Sequence, residues 1–159
     1  MMVEIERKFL VINDSFKNEI KNEIRITQQY LSSIPERSVR IRVKGNEAYI
    51  TIKGLGDNSG ISRFEWEKEI SVPDANDLFT LCEQGVIDKT RYIIKNGQHI
   101  FEVDEFYGEN KGLIIAEIEL SSEKESFNRP DWLGDEVTGD VKYFNSMLIK
   151  NPFSTWKKL

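Results

Sequence analysis

Residues 87–106, IDKTRYIIKNGQHIFEVDEF, decide the fold of this chain. The dipeptide Asn96-Gly97 separates two runs in which polar and apolar residues alternate, and this arrangement is the strongest short-range signal for a β-hairpin. Successive side chains of a strand point to opposite faces of the sheet. Four charged residues of the hairpin therefore share one face: Lys89, Arg91, Glu102 and Asp104. The stretch predicts a hairpin with one apolar face and one charged face.

The same alternation extends from this hairpin towards both ends of the chain. It predicts strands over Val3–Val11, Glu23–Leu31, Arg37–Val43, Ala48–Lys53, Ser62–Val72, Ile87–Ile94, His99–Phe106 and Gly112–Leu120. Helices are predicted from Ser15 to about Asn22, from Pro73 onwards, and over Asp140–Ile149. The glycine-rich stretch 54–60 is predicted to be a flexible loop. Many sequential hairpins favour an antiparallel barrel or sandwich with a few helices outside it.

Nearly every predicted strand carries its charges on one face. Like charges repeat two residues apart in Glu4 and Glu6 and again in Arg40 and Arg42. For any single strand, the ordinary interpretation is an apolar face on the core and a charged face in water. A solvated face, however, usually mixes the two signs and includes uncharged polar residues, which are scarce here. The remaining charged positions are Lys8, Lys53, Arg63, Glu65, Glu67, Glu69, Lys89, Arg91, Glu102, Asp104, Glu117 and Glu119.

A sheet that closed with this face inward would line one cavity with clusters of cations and carboxylates. Such clusters are costly to bury alone. An anion with several negative charges, together with a divalent cation, would neutralise both signs. Carboxylate oxygens suit Mg²⁺ or Mn²⁺. A structural zinc site is disfavoured, because His99 is the only histidine and Cys82 the only cysteine, and we expect His99 to be an exposed turn residue.

Length and charge exclude several classes of protein. The 159 residues suit a single domain, 1–159, and the net charge of −5 argues against a nucleic-acid-binding surface. The longest apolar run, Leu113–Ala116, is far too short to span a membrane. One cysteine allows no internal disulfide, so a reducing cytoplasm is expected. The sequence leaves the oligomeric state open, a homodimer included.

No backbone motif for phosphate binding is present. The chain lacks a Gly-x-x-x-x-Gly-Lys-Ser/Thr P-loop, and Gly54-x-Gly56 is not followed by the third glycine of a dinucleotide fingerprint. A Gly-x-Ser-x-Gly nucleophile elbow is also missing. Phosphates would therefore have to be bound by side chains.

The segment Glu4-Ile5-Glu6-Arg7-Lys8-Phe9 resembles the Glu-x-Glu-x-Lys signature of the CYTH superfamily, the triphosphate tunnel metalloenzymes. The resemblance continues in order through Arg40-x-Arg42, Thr51-Ile52-Lys53, Arg63-x-Glu65-x-Glu67, Lys89-x-Arg91, Glu102-x-Asp104 and Ala116-Glu117-Ile118-Glu119-Leu120. The tail resembles the bacterial-type small members in Trp132-Leu133-Gly134, Glu136-Val137-Thr138 and Tyr143-x-Asn145.

This resemblance implies a mainly β (α+β) fold. Its core would be a closed eight-stranded antiparallel β-barrel around a charged tunnel, with helices packed outside and a C-terminal plug helix at one end. The implied activity is metal-dependent hydrolysis of a linear triphosphate, with inorganic tripolyphosphate as the leading substrate. Relatives in the superfamily also include thiamine triphosphatases, RNA triphosphatases and class IV adenylate cyclases. A non-catalytic polyphosphate-binding module and a β-sandwich with a charged surface stay open as alternatives.

The resemblance also implies residue roles. The metal, Mg²⁺ or Mn²⁺, would be held by Glu4, Glu6 and Glu119, with Glu117 supporting or joining them. Substrate phosphates would be held by Lys8, Arg40, Arg42, Lys53, Lys89 and Arg91. Catalytic positions that handle water or the leaving group, bind a second metal or fix the cations would be Lys89, Glu65, Glu67 and Asp104. Arg63 and Glu102 would serve the internal charge network.

Overall fold

The structure, a computed structural model, describes residues 3–56 and 61–156. The strands are β1 (Val3–Val11), β2 (Ile20–Ser32), β3 (Arg37–Lys44), β4 (Glu47–Gly54), β5 (Ser62–Ile70), β6 (Ile87–Asn96), β7 (His99–Phe106), β8 (Ile114–Glu119) and β9 (Leu133–Glu136). The α-helices are α1 (Val72–Phe79) and α2 (Asn145–Lys150). Four short 3₁₀-helices occupy Ser15–Glu19, Gly108–Asn110, Val141–Tyr143 and Phe153–Thr155. The predicted loop 54–60 falls partly outside the described residues.

The strands form one antiparallel sheet that closes on itself. Their order is β5-β4-β3-β2-β6-β7-β8-β1-β9, and β5 also pairs with β1. The closing contact joins Val3–Ile5 to Ser62–Phe64, so β1 to β8 complete a barrel while β9 lies beside the end of β1. The prediction of a closed eight-stranded antiparallel barrel is thereby confirmed, and the β-sandwich alternative is wrong.

The strand register turns the charged faces inward. In β6 and β7 Arg91 lies opposite Asp104, and in β1 and β8 Lys8 lies opposite Glu117. The interpretation of these faces as solvated is therefore wrong for the residues that are less than a tenth exposed: Lys8, Arg42, Lys53, Lys89, Arg91 and Asp104.

Apolar residues cover the outside of the barrel in two places. In one cluster, which includes Phe9 of β1, the ring of Trp132, just before β9, packs against Phe101 of β7 and against Phe16 of the first 3₁₀-helix. On the opposite side, α1 packs onto β3 and β4, where Ala75 meets Ile41 and Ala48. The helix begins where Ser71 accepts a hydrogen bond from the amide of Asp74, as an N-cap residue does.

A third apolar cluster closes one end of the barrel interior. The inward row of β6 runs from Arg91 through Lys89 to Ile87, and β7 runs from Asp104 to Phe106 in the same direction. Leu148 of α2 is fully buried against this apolar end. The predicted C-terminal plug helix is thus present.

The helices are shorter than the sequence predicts. The segment predicted as one helix over Asp140–Ile149 is a 3₁₀-turn followed by α2, because Phe144 adopts an extended backbone conformation between them. The helix predicted from Ser15 to about Asn22 ends at Glu19, where β2 begins early. In the described part of the chain, no helix is long and apolar enough to cross a membrane.

Candidate active site

The barrel encloses a cavity of about 490 Å³. Its lining combines inward side chains of the strands with the C-terminal segment 138–146. Of the site residues predicted from the sequence, those that line the cavity are Glu4, Glu6, Lys8, Arg40, Arg42, Lys53, Glu65, Glu67, Arg91 and Glu117. Three others lie outside this lining. Lys89 and Asp104 are buried in the barrel interior beyond the cavity lining. Glu119 is exposed, opposite Glu6 in the β1–β8 pairing.

Three buried side chains next to the cavity, Lys89, Arg91 and Asp104, form an ion network. The Asp104 carboxylate accepts two hydrogen bonds from Arg91, at 2.8 and 2.9 Å, and its Oδ2 lies 2.7 Å from Lys89 Nζ. Burial alone would raise the pKa of Asp104, but Arg91 and Lys89 hold it below its usual value. Burial lowers the pKa of Lys89 to about 7 despite Asp104, and Lys89 Nζ also donates to Asn145 Oδ1 at 3.1 Å.

Two cavity-lining arginines are not neutralised by a close carboxylate. The Nε of Arg42 donates to the neutral amide oxygen of Gln28 at 2.9 Å, and no carboxylate of the described residues forms an ion pair with it. Burial and the neighbouring Arg40 lower the pKa of Arg42. Arg40 pairs only loosely with Glu67, at 3.6 Å, and its buried Nε has no hydrogen-bond partner. Buried donors of this kind are normally satisfied, so the pair is suited to an anion.

Buried carboxylates lie at one side of the same cavity. Burial, and next the neighbouring Glu117, raises the pKa of Glu6, and the two carboxyl groups share a hydrogen bond. Burial would also raise the pKa of Glu117, but Lys8 and that hydrogen bond hold it well below its usual value. Glu4 accepts from Lys53 Nζ at 2.8 Å.

This donor set fits a hard divalent cation. Two neighbouring carboxyl groups joined by a hydrogen bond offer oxygens that a cation can take in place of that bond. Within residues 3–56 and 61–156, no three acidic, histidine or cysteine side chains converge as a formed metal cage. Glu4 is instead drawn to Lys53 and to Arg63, whose Nε lies 3.7 Å away. Carboxylate oxygens for a metal are present, but Lys53 and Arg63 compete for those of Glu4.

The rim carries the remaining predicted carboxylates. Glu65 lies 3.3 Å from Lys53 Nζ, and Glu67 accepts from the hydroxyl of Thr51 at 2.7 Å. Glu102 lies 3.5 Å from Arg91, as expected for a member of the charge network. These contacts fix the tunnel cations in place and leave Glu67 41% exposed.

Several lining residues were not predicted from the sequence. Tyr30 and Lys44 lie on inward rows of β2 and β3, so the two-residue period could have identified them. Phe144 and Asn145 lie at the junction between the 3₁₀-turn and α2, where the single helix predicted over Asp140–Ile149 gives the wrong side-chain directions. The ring of Phe144 lies 5.4 Å from Lys8 Nζ, so this segment contacts a cation of the cavity wall directly.

His99 is not the exposed turn residue that the sequence predicts. Its side chain is 18% exposed, its Nε2 is hydrogen-bonded to Glu125, and its ring packs edge-on against Phe127. It lies in β7 outside the cavity lining, so it has a structural position rather than a place in the site.

Known proteins resemble this chain over nearly its whole length. An inorganic triphosphatase of Acetivibrio thermocellus is 47% identical over 156 residues, covering 98% of this chain and 98% of the relative. An inorganic triphosphatase of Nitrosomonas europaea is 39% identical over 153 residues, covering 92% of this chain and 97% of the relative. The crystal structure of an inorganic triphosphatase superposes with a TM-score of 0.64 at 34% identity, covering 94% of this chain and 95% of that one. A family model described as the CYTH domain matches residues 2–145. The chain belongs to the CYTH domain family.

Proposed function

We propose that this protein is a metal-dependent triphosphatase that hydrolyses inorganic tripolyphosphate to pyrophosphate and phosphate. The observation that carries the proposal is the cavity, in which Arg40 and Arg42 lack a close carboxylate partner and face the buried pair Glu6 and Glu117. A linear triphosphate with a divalent cation supplies the two missing charges in one complex. The names of the two relatives above support the same substrate.

The phosphates would be gripped by the cations of the inner wall. Arginine suits this task because its planar guanidinium can donate two parallel hydrogen bonds to phosphate oxygens. Lys8 and Lys53 would add point charges at the metal side, and Arg91 would hold the deep end. Phosphoryl transfer depends on positioning and charge neutralisation more than on covalent chemistry, and this wall supplies both.

Glu4, Glu6 and Glu117 would hold the cation, and Glu119 would reach it from the rim. A bound Mg²⁺ or Mn²⁺ neutralises phosphate oxygens and makes the terminal phosphorus a better electrophile. Glu4 can join only when Lys53 and Arg63 turn from it, and incoming phosphate oxygens give both cations another partner.

The reaction would be an in-line displacement. The oxygen of a water molecule attacks the terminal phosphorus, the bond from that phosphorus to its bridging oxygen breaks, and pyrophosphate leaves with the bonding electrons. Glu65 and Glu67 lie on the cavity wall where they can orient the water and take its proton. Lys89, with its pKa lowered to about 7, would turn from Asn145 to contact the water or the leaving group, and Asp104 would position it.

The cellular location we propose is the cytoplasm. Cys82 is a free thiol, and the sequence offers no second cysteine to oxidise it internally. Free thiols persist most readily in reducing compartments.

Phosphate release by the purified protein tests the proposal. Tripolyphosphate, ATP, thiamine triphosphate and pyrophosphate are each supplied with Mg²⁺, with Mn²⁺ and with a chelator, and ATP reactions are also assayed for cyclic AMP. We expect metal-dependent release from tripolyphosphate at the highest kcat/KM. Preference for an organic triphosphate, or formation of cyclic AMP, would replace the substrate. Binding without turnover would identify a polyphosphate-binding module instead.

A further inference from the structure

Gln28 contacts two residues that line the cavity but does not line it itself. It is fully buried on the inward face of β2, directly opposite Arg42 in the β2–β3 pairing. Its amide oxygen accepts from Arg42 Nε at 2.9 Å, and its amide nitrogen donates to the Tyr30 hydroxyl at 3.3 Å. Arg42 and Tyr30 both line the cavity. One neutral side chain therefore connects two groups that face the substrate.

The orientation of this amide is determined by its neighbours. An arginine Nε can only donate, so the Gln28 oxygen must face Arg42 and its nitrogen must face Tyr30. The bond to Nε leaves the two terminal nitrogens of the Arg42 guanidinium for an anion. The bond to Tyr30 fills an acceptor site of the hydroxyl oxygen, so the hydroxyl hydrogen is left to donate towards the cavity.

The neutrality of Gln28 matters as much as its geometry. Three other buried cations are paired with carboxylates, Lys89 and Arg91 with Asp104 and Lys53 with Glu4. A glutamate at position 28 would offer Arg42 the same oxygen together with a full negative charge. Glutamine orients the guanidinium and leaves its charge for the ligand.

We propose that Gln28 is a positioning residue that aims the Arg42 guanidinium and the Tyr30 hydroxyl at the triphosphate while keeping Arg42 electrostatically unpaired. This inference rests on the proposed triphosphatase activity, because it names the device by which that site recognises its anion. Gln28 itself touches no substrate, so its effect is transmitted through its two partners.

The first test is Gln28→Glu, which keeps the size and the acceptor oxygen of the side chain. We expect the dissociation constant for tripolyphosphate, measured by calorimetry in the presence of a chelator, to rise about 10- to 100-fold, the factor for one charge-assisted hydrogen bond. KM should rise by a similar factor, and kcat should fall by a smaller factor. The matched control is Gln29→Glu, the neighbouring glutamine on the outward face of the same strand, which should bind within about twofold of the wild type.

The second test separates positioning from a merely structural role. Gln28→Met removes the hydrogen bonds but keeps the Arg42 charge, so its affinity for tripolyphosphate should fall less than that of Gln28→Glu. In an Arg42→Met background, Gln28→Glu should cause little further loss, because its main effect is transmitted through that guanidinium. Additive losses in the double variant, or wild-type affinity in Gln28→Glu, would overturn the inference.

Calorimetric binding does not depend on turnover, so the two proposals can fail separately. A wild-type protein that binds tripolyphosphate without hydrolysing it overturns the proposed function and leaves the Gln28 effect measurable. A wild-type protein that neither binds nor hydrolyses it overturns both. Melting temperatures of each variant verify that the barrel is folded, and Gln28→Met provides the affinity comparison if Gln28→Glu does not fold.

Discussion

Asp104 shares its single carboxylate between two buried cations, Lys89 and Arg91. Two cations on one carboxylate leave this group with a net positive charge whenever Lys89 is protonated, and Arg42 on the cavity wall adds to it. An isolated positive cluster at this depth would be costly. The cluster is tolerable because carboxylates lie across the tunnel, and it leaves a field directed at an incoming anion.

The buried pair of Asp104 with Arg91 has an exposed counterpart in Asp88 with Arg25. Both are two-bond pairs, and the surface pair has bonds of 2.7 Å each. We expect Asp104→Asn to lower the free energy of unfolding by about 3–5 kcal/mol, because it leaves buried cations without a partner. Asp88→Asn should cost less than about 1 kcal/mol, since solvent screens the exposed pair. Urea denaturation at pH 7 measures both, and equal costs would contradict the assignment.

The same carboxylate predicts a pH dependence. The pKa of Asp104 is lowered in the folded protein, so its contribution to stability is present above the unfolded value of about 4 and is lost as the pH falls below it. The difference in unfolding free energy between the wild type and Asp104→Asn should therefore shrink as the pH falls from about 4 to about 2, the interval between the unfolded and folded pKa values. A difference that stays constant over this range would show that the carboxylate is not ionised in the native state.

Glu6 is expected to act on stability and on turnover in opposite directions. Its pKa is raised because burial, and then Glu117, disfavour its charged form. Glu6→Gln should leave the melting temperature of the metal-free protein unchanged or higher. Metal-dependent release of phosphate from tripolyphosphate should fall by at least about 100-fold, because the amide cannot supply the negative charge of the carboxylate to the proposed metal site. Glu23→Gln, an exposed carboxylate on β2, is the control, and near-wild-type activity of Glu6→Gln would refute the metal assignment.

Single residues of the site could be predicted when they were charged. Repeated like charges made Arg40 and Arg42 conspicuous, because no solvated face explains them well. Gln28 and Tyr30 share the same inward face, but a neutral glutamine and a tyrosine fit a solvent-facing strand equally well. Lys89 was correctly predicted to point inward. Whether it also lines the cavity depends on how far α2 reaches into the barrel, and strand periodicity carries no information about that.

The C-terminal segment is the element that joins stability to the site. Leu148 fills the apolar end of the barrel, and three residues earlier Asn145 contacts Lys89. Phe144, in an extended conformation, separates the 3₁₀-turn Val141–Tyr143 from α2. Its ring lies 5.4 Å from Lys8 and 5.9 Å from Arg63, so the interruption that the sequence did not predict brings this residue against two cations. The element β9 was also missed, because Leu133–Glu136 is short and shows no alternation.

Side-chain truncation in α2 tests whether this helix stabilises the barrel. Leu148→Ala should lower the free energy of unfolding by about 2–5 kcal/mol, the range for a fully buried leucine. Lys150→Ala, exposed on the same helix, should change it by less than about 0.5 kcal/mol. Chemical denaturation with two-state fitting gives both values. A small cost for Leu148→Ala would mean that α2 does not close the barrel in solution.

The whole molecule combines a net charge of −5 with a tunnel whose deep wall is positive. Lys53 and Arg63 form ion pairs with Glu4, so the proposed anion and metal sites share these three side chains. Phosphate binding should draw these cations away and release Glu4 for the metal. The two ligands are therefore expected to bind with positive coupling.

Thermal melts can measure this coupling. We expect Mn²⁺ alone and imidotriphosphate alone, a tripolyphosphate analogue chosen to resist hydrolysis, to raise the melting temperature modestly. The two together should raise it by more than the sum, because each removes a competitor of the other. Glu4→Gln should reduce the excess. A simple sum in the wild type would show that the sites are independent.

The barrel as a whole was predictable only in outline. Turn signals such as Asn96-Gly97 and the two-residue period identify an antiparallel sheet, but the same pattern describes an open sheet with a wet face. Closure depends on a short pairing of Val3–Ile5 with Ser62–Phe64, far apart in sequence. The resemblance to tunnel enzymes supplied that expectation, and the register of the strands confirms it.

The pairing of β5 with β1 also has a consequence for the behaviour of the protein at high concentration. A strand with an unpaired edge can recruit another chain and start ordered aggregation. Here β5 meets β1 only over Ser62–Phe64, and its continuation is guarded by the alternating charges of Glu67, Lys68 and Glu69. The other outer strand, β9, is four residues long. The barrel therefore consists largely of strands but offers few unpaired strand edges on which a fibril could grow.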